Sequence, residues 1–103
     1  GHVTQDALNG CILGVHLLRV DRILVIAHTK CAMASGDDDE IRRRVASASG
    51  LDVSDLSVGA TPDQSGKLRA DVALLADHPL IAGRAEIGGF IYDADKGLLA
   101  QVC

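Results

Sequence analysis

The run Ile23-Leu24-Val25-Ile26-Ala27, which leads directly into His28-Thr29-Lys30-Cys31, constrains this chain more than any other feature. Five aliphatic and β-branched residues fall far short of the ~20 that a bilayer-spanning helix needs. An unbroken run of this kind suits a strand buried on both faces of a parallel sheet. Such a strand needs strand neighbours on both edges and helices over both faces. The expected fold class is therefore α/β, a three-layer arrangement with a parallel or mixed sheet flanked by helices.

The flanking segments agree. Residues 3–20 read as a helix, with Thr4 as N-cap, Asp6 in the first turn, and Leu8, Cys11, Ile12 and Val15 at helical spacing. Gly10 and Gly14 weaken that helix by about 1 kcal/mol each relative to Ala, which makes sense where something packs close to their side. Asp37-Asp38-Asp39-Glu40 place negative charge where a second helix begins, with Ile41, Val45 and Ala48 facing inward and Gly50 as its stop. Residues 51–65 read as surface loop. A third helix spans 67–76, with Leu68, Val72 and Leu75 on one stripe, and ends before His78-Pro79. Residues 85–93 and 98–102 form a hairpin around Asp95-Lys96-Gly97.

The chain has 103 residues, which allows one small domain, 1–103. With 48% hydrophobic residues but only Phe90 and Tyr92 as aromatics, its core is aliphatic. A net charge of −4 argues against nucleic acid and anionic membrane surfaces as partners. The cysteines Cys11, Cys31 and Cys103 are odd in number and widely spread, unlike a secreted disulfide framework. With no signal peptide at its start, the chain is expected to be cytoplasmic. It opens Gly1-His2-Val3 without Met, and the thin sheet lacks strand neighbours, so the fold is expected to be N-terminally truncated.

The chemistry concentrates at His28 and Cys31. Imidazole and thiolate are good zinc ligands, and two intervening residues let both side chains turn towards one ion. The pair sits beyond the carboxyl end of a strand, where α/β sheets gather functional groups. The pair also fits a histidine hydrogen-bonded to backbone beside an inert thiol. His2, His16 and His78 read as structural or solvent-facing, Cys11 as core, and the acidic run as a solvated helix start. Cys31 could also serve an anion-binding thiolate enzyme, but Asp37 stands where such a loop needs an arginine.

Val3-Thr4, the residues from Arg22 through His28 to Cys31, Asp37-Asp38-Asp39, His78-Pro79-Leu80-Ile81, and Gly89-Phe90-Ile91-Tyr92-Asp93 with Lys96-Gly97-Leu98-Leu99 occur in one order along the chain. In that order they resemble the smaller bacterial β-class carbonic anhydrases. The resemblance implies Zn2+ held by Cys, His and Cys, with His28 and Cys31 as the second and third ligands. It also implies that the first ligand Cys lies in an upstream C-x-D-x-R motif, whose Asp-Arg dyad assists the metal. This chain has no such motif, so that remaining ligand Cys and the catalytic dyad are absent from it. Ala32 stands where the family usually has Gly. The implied reaction is reversible hydration of carbon dioxide to bicarbonate by a zinc-activated water. The implied assembly is a homodimer or higher homo-oligomer built on the first helix and a sheet edge. The alternative reading is a non-catalytic remnant that keeps the fold as a zinc-binding or dimerisation module.

Overall fold

The structure, a computed structural model, describes residues 2–103. The elements run α1 (Gln5–Leu17), β1 (Arg22–His28), a single 3-10 turn (Ala32–Ala34), α2 (Asp38–Ser49), α3 (Gln64–Asp77), β2 (Glu86–Asp93) and β3 (Leu98–Gln101). The chain divides into two compact units, one of Gly1–Thr29 with Ser65–Cys103, the other of Lys30–Gln64. The expected α/β class with a mixed sheet is what forms: β1 pairs parallel with β2, and β2 antiparallel with β3.

In the first unit, Thr4 caps α1 by accepting from the Ala7 N–H, as its position foretells. The helix stops at Leu17, three residues before the periodicity does. Arg19 takes a left-handed φ of 58°, and the Leu18 and Val20 N–H groups both donate to the Gly14 carbonyl. The left-handed residue turns the chain back over the helix end, with arginine where glycine is usual. Gly14 is buried, and a Cβ there would lie 3.3 Å from Val20 Cγ2, so its smallness is used. At Gly10, a Cβ would meet nothing of its own chain within 4 Å.

The pleat separates the sheet into two different faces. Ile23, Val25 and Ala27 of β1 pair with Ile87, Gly89 and Ile91 of β2, and this side meets the helices. Leu8 of α1, Leu68 and Leu75 of α3, and Ile81 join Val25 in one core cluster. Leu68, Leu75 and Ile81 are at most 1% exposed, each contributing roughly 1.5–3 kcal/mol. The opposite side of β1 is open, with Leu24 50% and Ile26 41% exposed. The expectation of a strand buried on both faces is thus corrected. The helices α1 and α3 cover one face, and β1 is the edge strand of the order β1-β2-β3. An aliphatic run records apolar character but not how many layers cover it.

Two contacts tie the helices down. Asp71 of α3 is 2% exposed, and its carboxylate accepts from the Val3 N–H at 2.8 Å and from Lys67 Nζ at 2.6 Å. A buried carboxylate held by a cation and a peptide N–H is stable only while both remain. At Gly89, an added Cβ would stand 2.9 Å from Val72 Cγ2 and 3.2 Å from Leu68 Cγ, with Cys103 Sγ nearer still. The glycine lets α3 and the chain end seat against β2. The Cys103 carbonyl accepts from the Gly89 N–H at 3.1 Å, and the Val102 N–H donates to the Gly89 carbonyl at 2.8 Å.

The second unit is held by polar contacts more than by a core. Asp37 caps α2 by accepting from the Glu40 N–H at 2.8 Å, and Gly50 ends it at φ 70°. Arg42 donates to the Leu56 carbonyl at 3.0 Å, and Asp38 accepts from the Ala60 N–H at 2.7 Å. No residue of α2 is fully buried. Ile41, Arg42 and Ala46 are half-buried, whereas Val45 and Ala48, expected to face inward, are exposed. Side-chain-to-backbone bonds set the rotation of this helix, so its apolar stripe misjudges the inward face.

Three changes test these contacts by urea denaturation. Asp71→Ala should lower stability by about 1–3 kcal/mol, because the Val3 N–H loses its acceptor. Gly89→Ala should cost about 1–3 kcal/mol through overpacking, and Cys103→Ala in the same chain should recover part of it. Arg19→Gly should raise stability by up to about 1 kcal/mol, since glycine adopts the left-handed position without the Cβ penalty.

Candidate functional site

His28 is the last residue of β1 and pairs with Tyr92 in the parallel ladder. That register puts it on the open face with Leu24 and Ile26, away from α1 and α3. Its ring is oriented by a hydrogen bond 2.9 Å long between Nδ1 and the Thr29 carbonyl. A carbonyl oxygen only accepts, so Nδ1 carries the proton and Nε2 carries the lone pair of the neutral ring. Histidines that ligate metals are commonly oriented by such a bond from the other ring nitrogen to a carbonyl. In donor chemistry and ring orientation, His28 fits a zinc ligand.

Thr29 continues the ladder past the strand end. Its N–H donates to the Tyr92 carbonyl at 2.9 Å, and its Oγ1 accepts from the Ala94 N–H at 2.9 Å. Ala94 opens the β2–β3 turn, where the Asp93 carboxylate accepts from the N–H groups of Asp95 and Lys96, both at 3.0 Å. Gly97 closes the turn with φ 67°, donating its N–H to the Asp93 carbonyl at 2.8 Å. Sequence reasoning read Thr29 only as a spacer between the two donors. Its partner at Ala94 is 65 residues away, and no local pattern announces that bond.

The boundary between the two units falls between Thr29 and Lys30. Lys30 adopts φ 55°, a left-handed conformation uncommon outside glycine and costing about 1–2 kcal/mol. Cys31, half-buried, caps the 3-10 turn, its carbonyl accepting from the Ala34 N–H at 3.1 Å. Within the same unit, the Met33 carbonyl accepts from the Thr61 N–H at 2.6 Å, joining the loop to the segment before α3. Each member of the donor pair thus stands in ordered backbone within its own unit. Among the described residues, no group of three or more His, Cys, Asp or Glu side chains is placed to hold a metal ion.

Several other polar residues have structural partners. His16 Nε2 bonds the Leu80 carbonyl at 2.7 Å, and His78 Nδ1 accepts from the Leu80 N–H at 3.1 Å. Asp37, Asp38 and Asp39 are engaged as a helix cap and as partners of Arg42 and of the Ala60 N–H. Asp52 accepts from the Ser54 N–H, which holds its carboxyl below the usual range. Cys11 lies half-buried in α1 against the core, and burial pushes its thiol up. That supports a packing role there, since a ligand sulfur must ionise.

No protein-family model matches the chain. Among characterised proteins, it is 25% identical over 100 residues to beta-carbonic anhydrase 1 of Mycobacterium tuberculosis, covering 97% of this chain and 61% of that protein. It is equally 25% identical, over 117 residues, to the carbon disulfide hydrolase of Acidithiobacillus thiooxidans, covering 96% of this chain and 58% of that enzyme. Among solved structures, the carbonic anhydrase of Streptococcus mutans superposes with a TM-score of 0.79 at 28% identity, covering 99% of this chain and 61% of that one. The chain therefore spans about three-fifths of the length of the proteins it matches. Over that span, it carries a β-class carbonic anhydrase-like fold.

Proposed function

We propose that the chain contributes part of the active site of a zinc-dependent enzyme that reversibly hydrates carbon dioxide to bicarbonate. In this reading, His28 and Cys31 are two of the zinc ligands. The observation that carries it is the orientation of His28 at the end of β1, its Nδ1–H held by the Thr29 carbonyl. The match to carbonic anhydrases over 97–99% of this chain supports it. Bound zinc supplies Lewis acidity and lowers the pKa of a coordinated water towards neutrality.

The chain's own contribution is to present donors. His28 would present Nε2 to the ion, and Cys31 its sulfur three residues on. Two donors are fewer than the three protein ligands of a catalytic zinc site, so these residues alone would hold the ion weakly. The remaining ligand and the groups that steer a coordinated water lie outside the set this chain supplies. The reading places the protein at the β-carbonic anhydrase end of its relatives. Carbon disulfide hydrolase, matched at the same 25% identity, sets the competing substrate. A homo-oligomer and a cytoplasmic location accompany the reading. Among the described residues, no helix is long and apolar enough to cross a membrane.

Metal analysis combined with stopped-flow hydration of carbon dioxide tests the proposal. The expected result is protein-bound zinc and turnover of carbon dioxide, both lost in His28→Ala/Cys31→Ala. Wild-type zinc content in that double variant removes the site assignment. Hydrolysis of carbon disulfide without hydration of carbon dioxide moves the substrate to the alternative. Zinc without turnover of either establishes the non-catalytic module. A 103-residue species free of zinc and inert ends the catalytic reading for this polypeptide.

A further inference from the structure

The hydrogen bonds around His28 lead to Thr29, whose carbonyl meets the ring directly. Nδ1–H of the ring donates to the Thr29 carbonyl at 2.9 Å. That bond orients the ring only as well as the Thr29 peptide unit is itself held. Thr29 is the last residue of the first unit, just beyond the end of β1, where a chain leaving a sheet is ordinarily loose. It is restrained twice. Its N–H donates to the Tyr92 carbonyl, and its Oγ1 accepts from the Ala94 N–H, each at 2.9 Å.

Both anchors are stiff. Tyr92 lies in β2 within the parallel ladder, and Ala94 lies in a turn closed by the bonds to Asp93 and by Gly97. Threonine suits the position for two reasons. Its β-branching restricts χ1, so the hydroxyl keeps one direction, and that hydroxyl supplies the acceptor the Ala94 N–H needs. Histidine, threonine and both anchors belong to the same compact unit.

We propose that Thr29 is a positioning residue for His28, its side-chain bond to the β2–β3 turn fixing the carbonyl that sets the imidazole's tautomer and direction. The proposal rests on the reading of His28 as a zinc ligand. The side-chain bond is the separable part, because the N–H bond to Tyr92 survives any change of side chain. Thr29→Val keeps the shape and branching but loses the acceptor, whereas Thr29→Ser keeps the acceptor.

The test measures Zn(II) affinity by competition with a chromophoric chelator and the His28 tautomer by 15N NMR of the metal-free protein. Thr29→Val should weaken zinc binding about tenfold, the lower end of what lost outer-shell partners cost, with Thr29→Ser restoring it. In the metal-free spectra, Thr29→Val should replace the single Nδ1-protonated form by a mixture of tautomers, which a purely structural role would not produce. Should the valine variant fail to fold, Thr29→Ala carries the same loss of acceptor. Wild-type affinity and tautomer in the folded acceptor-less variant, with zinc binding still weakened by His28→Ala, overturns the positioning role and leaves the metal reading standing. Zinc affinity unchanged in His28→Ala overturns both.

Discussion

The parallel pairing of β1 with β2 is the constraint on which the rest of the first unit depends. It runs from Arg22 opposite Glu86 to His28 opposite Tyr92, joining segments more than sixty residues apart. Every feature of interest follows from this register. It sends Val25, Gly89 and Ile91 towards α1 and α3, where Leu68, Leu75 and Ile81 exclude water. It sends Leu24, Ile26 and His28 to the other face. A slip of one residue would exchange the two sets, burying the imidazole and exposing Val25.

The candidate site is an outgrowth of that register. His28, the last residue of β1, inherits the rigidity of the ladder, and the bonds of Thr29 extend that rigidity one residue further. Backbone order therefore reaches the carbonyl on which the ring leans. Beyond Thr29, the chain enters the second unit through the left-handed Lys30, and the thiol of Cys31 follows at the head of a 3-10 turn. Functional groups in α/β proteins gather beyond strand ends, because side chains there escape the packed layers.

Much of the fold is legible in the residues because it is decided locally. Thr4 and Gly50 act as caps where side chain or backbone freedom predicts, the acidic run opens α2, and Asp-Lys-Gly closes the hairpin. The third helix is longer than its apolar stripe, running Gln64–Asp77, because its first turn is polar. The misreadings have a common origin. Helix α1 ends early through Arg19, a residue with no general preference for positive φ. Val45 and Ala48 are exposed because polar bonds to the 51–60 segment orient α2. Asp71, within an otherwise ordinary amphipathic helix, is buried because it meets the Val3 N–H across 68 residues.

The sequence by itself therefore determined the order of helices and strands, the α/β class, the chemical kind of the His28 and Cys31 donors, and the resemblance to β-class carbonic anhydrases. Periodicity, capping and ligand spacing all act over a few residues, so they can be read in one line. Only the tertiary structure decided that one face of β1 is open, that Asp71 ties α3 to the segment entering α1, and that Thr29 reaches Ala94. Those outcomes depend on strand register and on hydrogen bonds between residues 65 and 68 positions apart. The physical reason is that a donor shows the need for an acceptor, while the packed fold alone selects which one it meets.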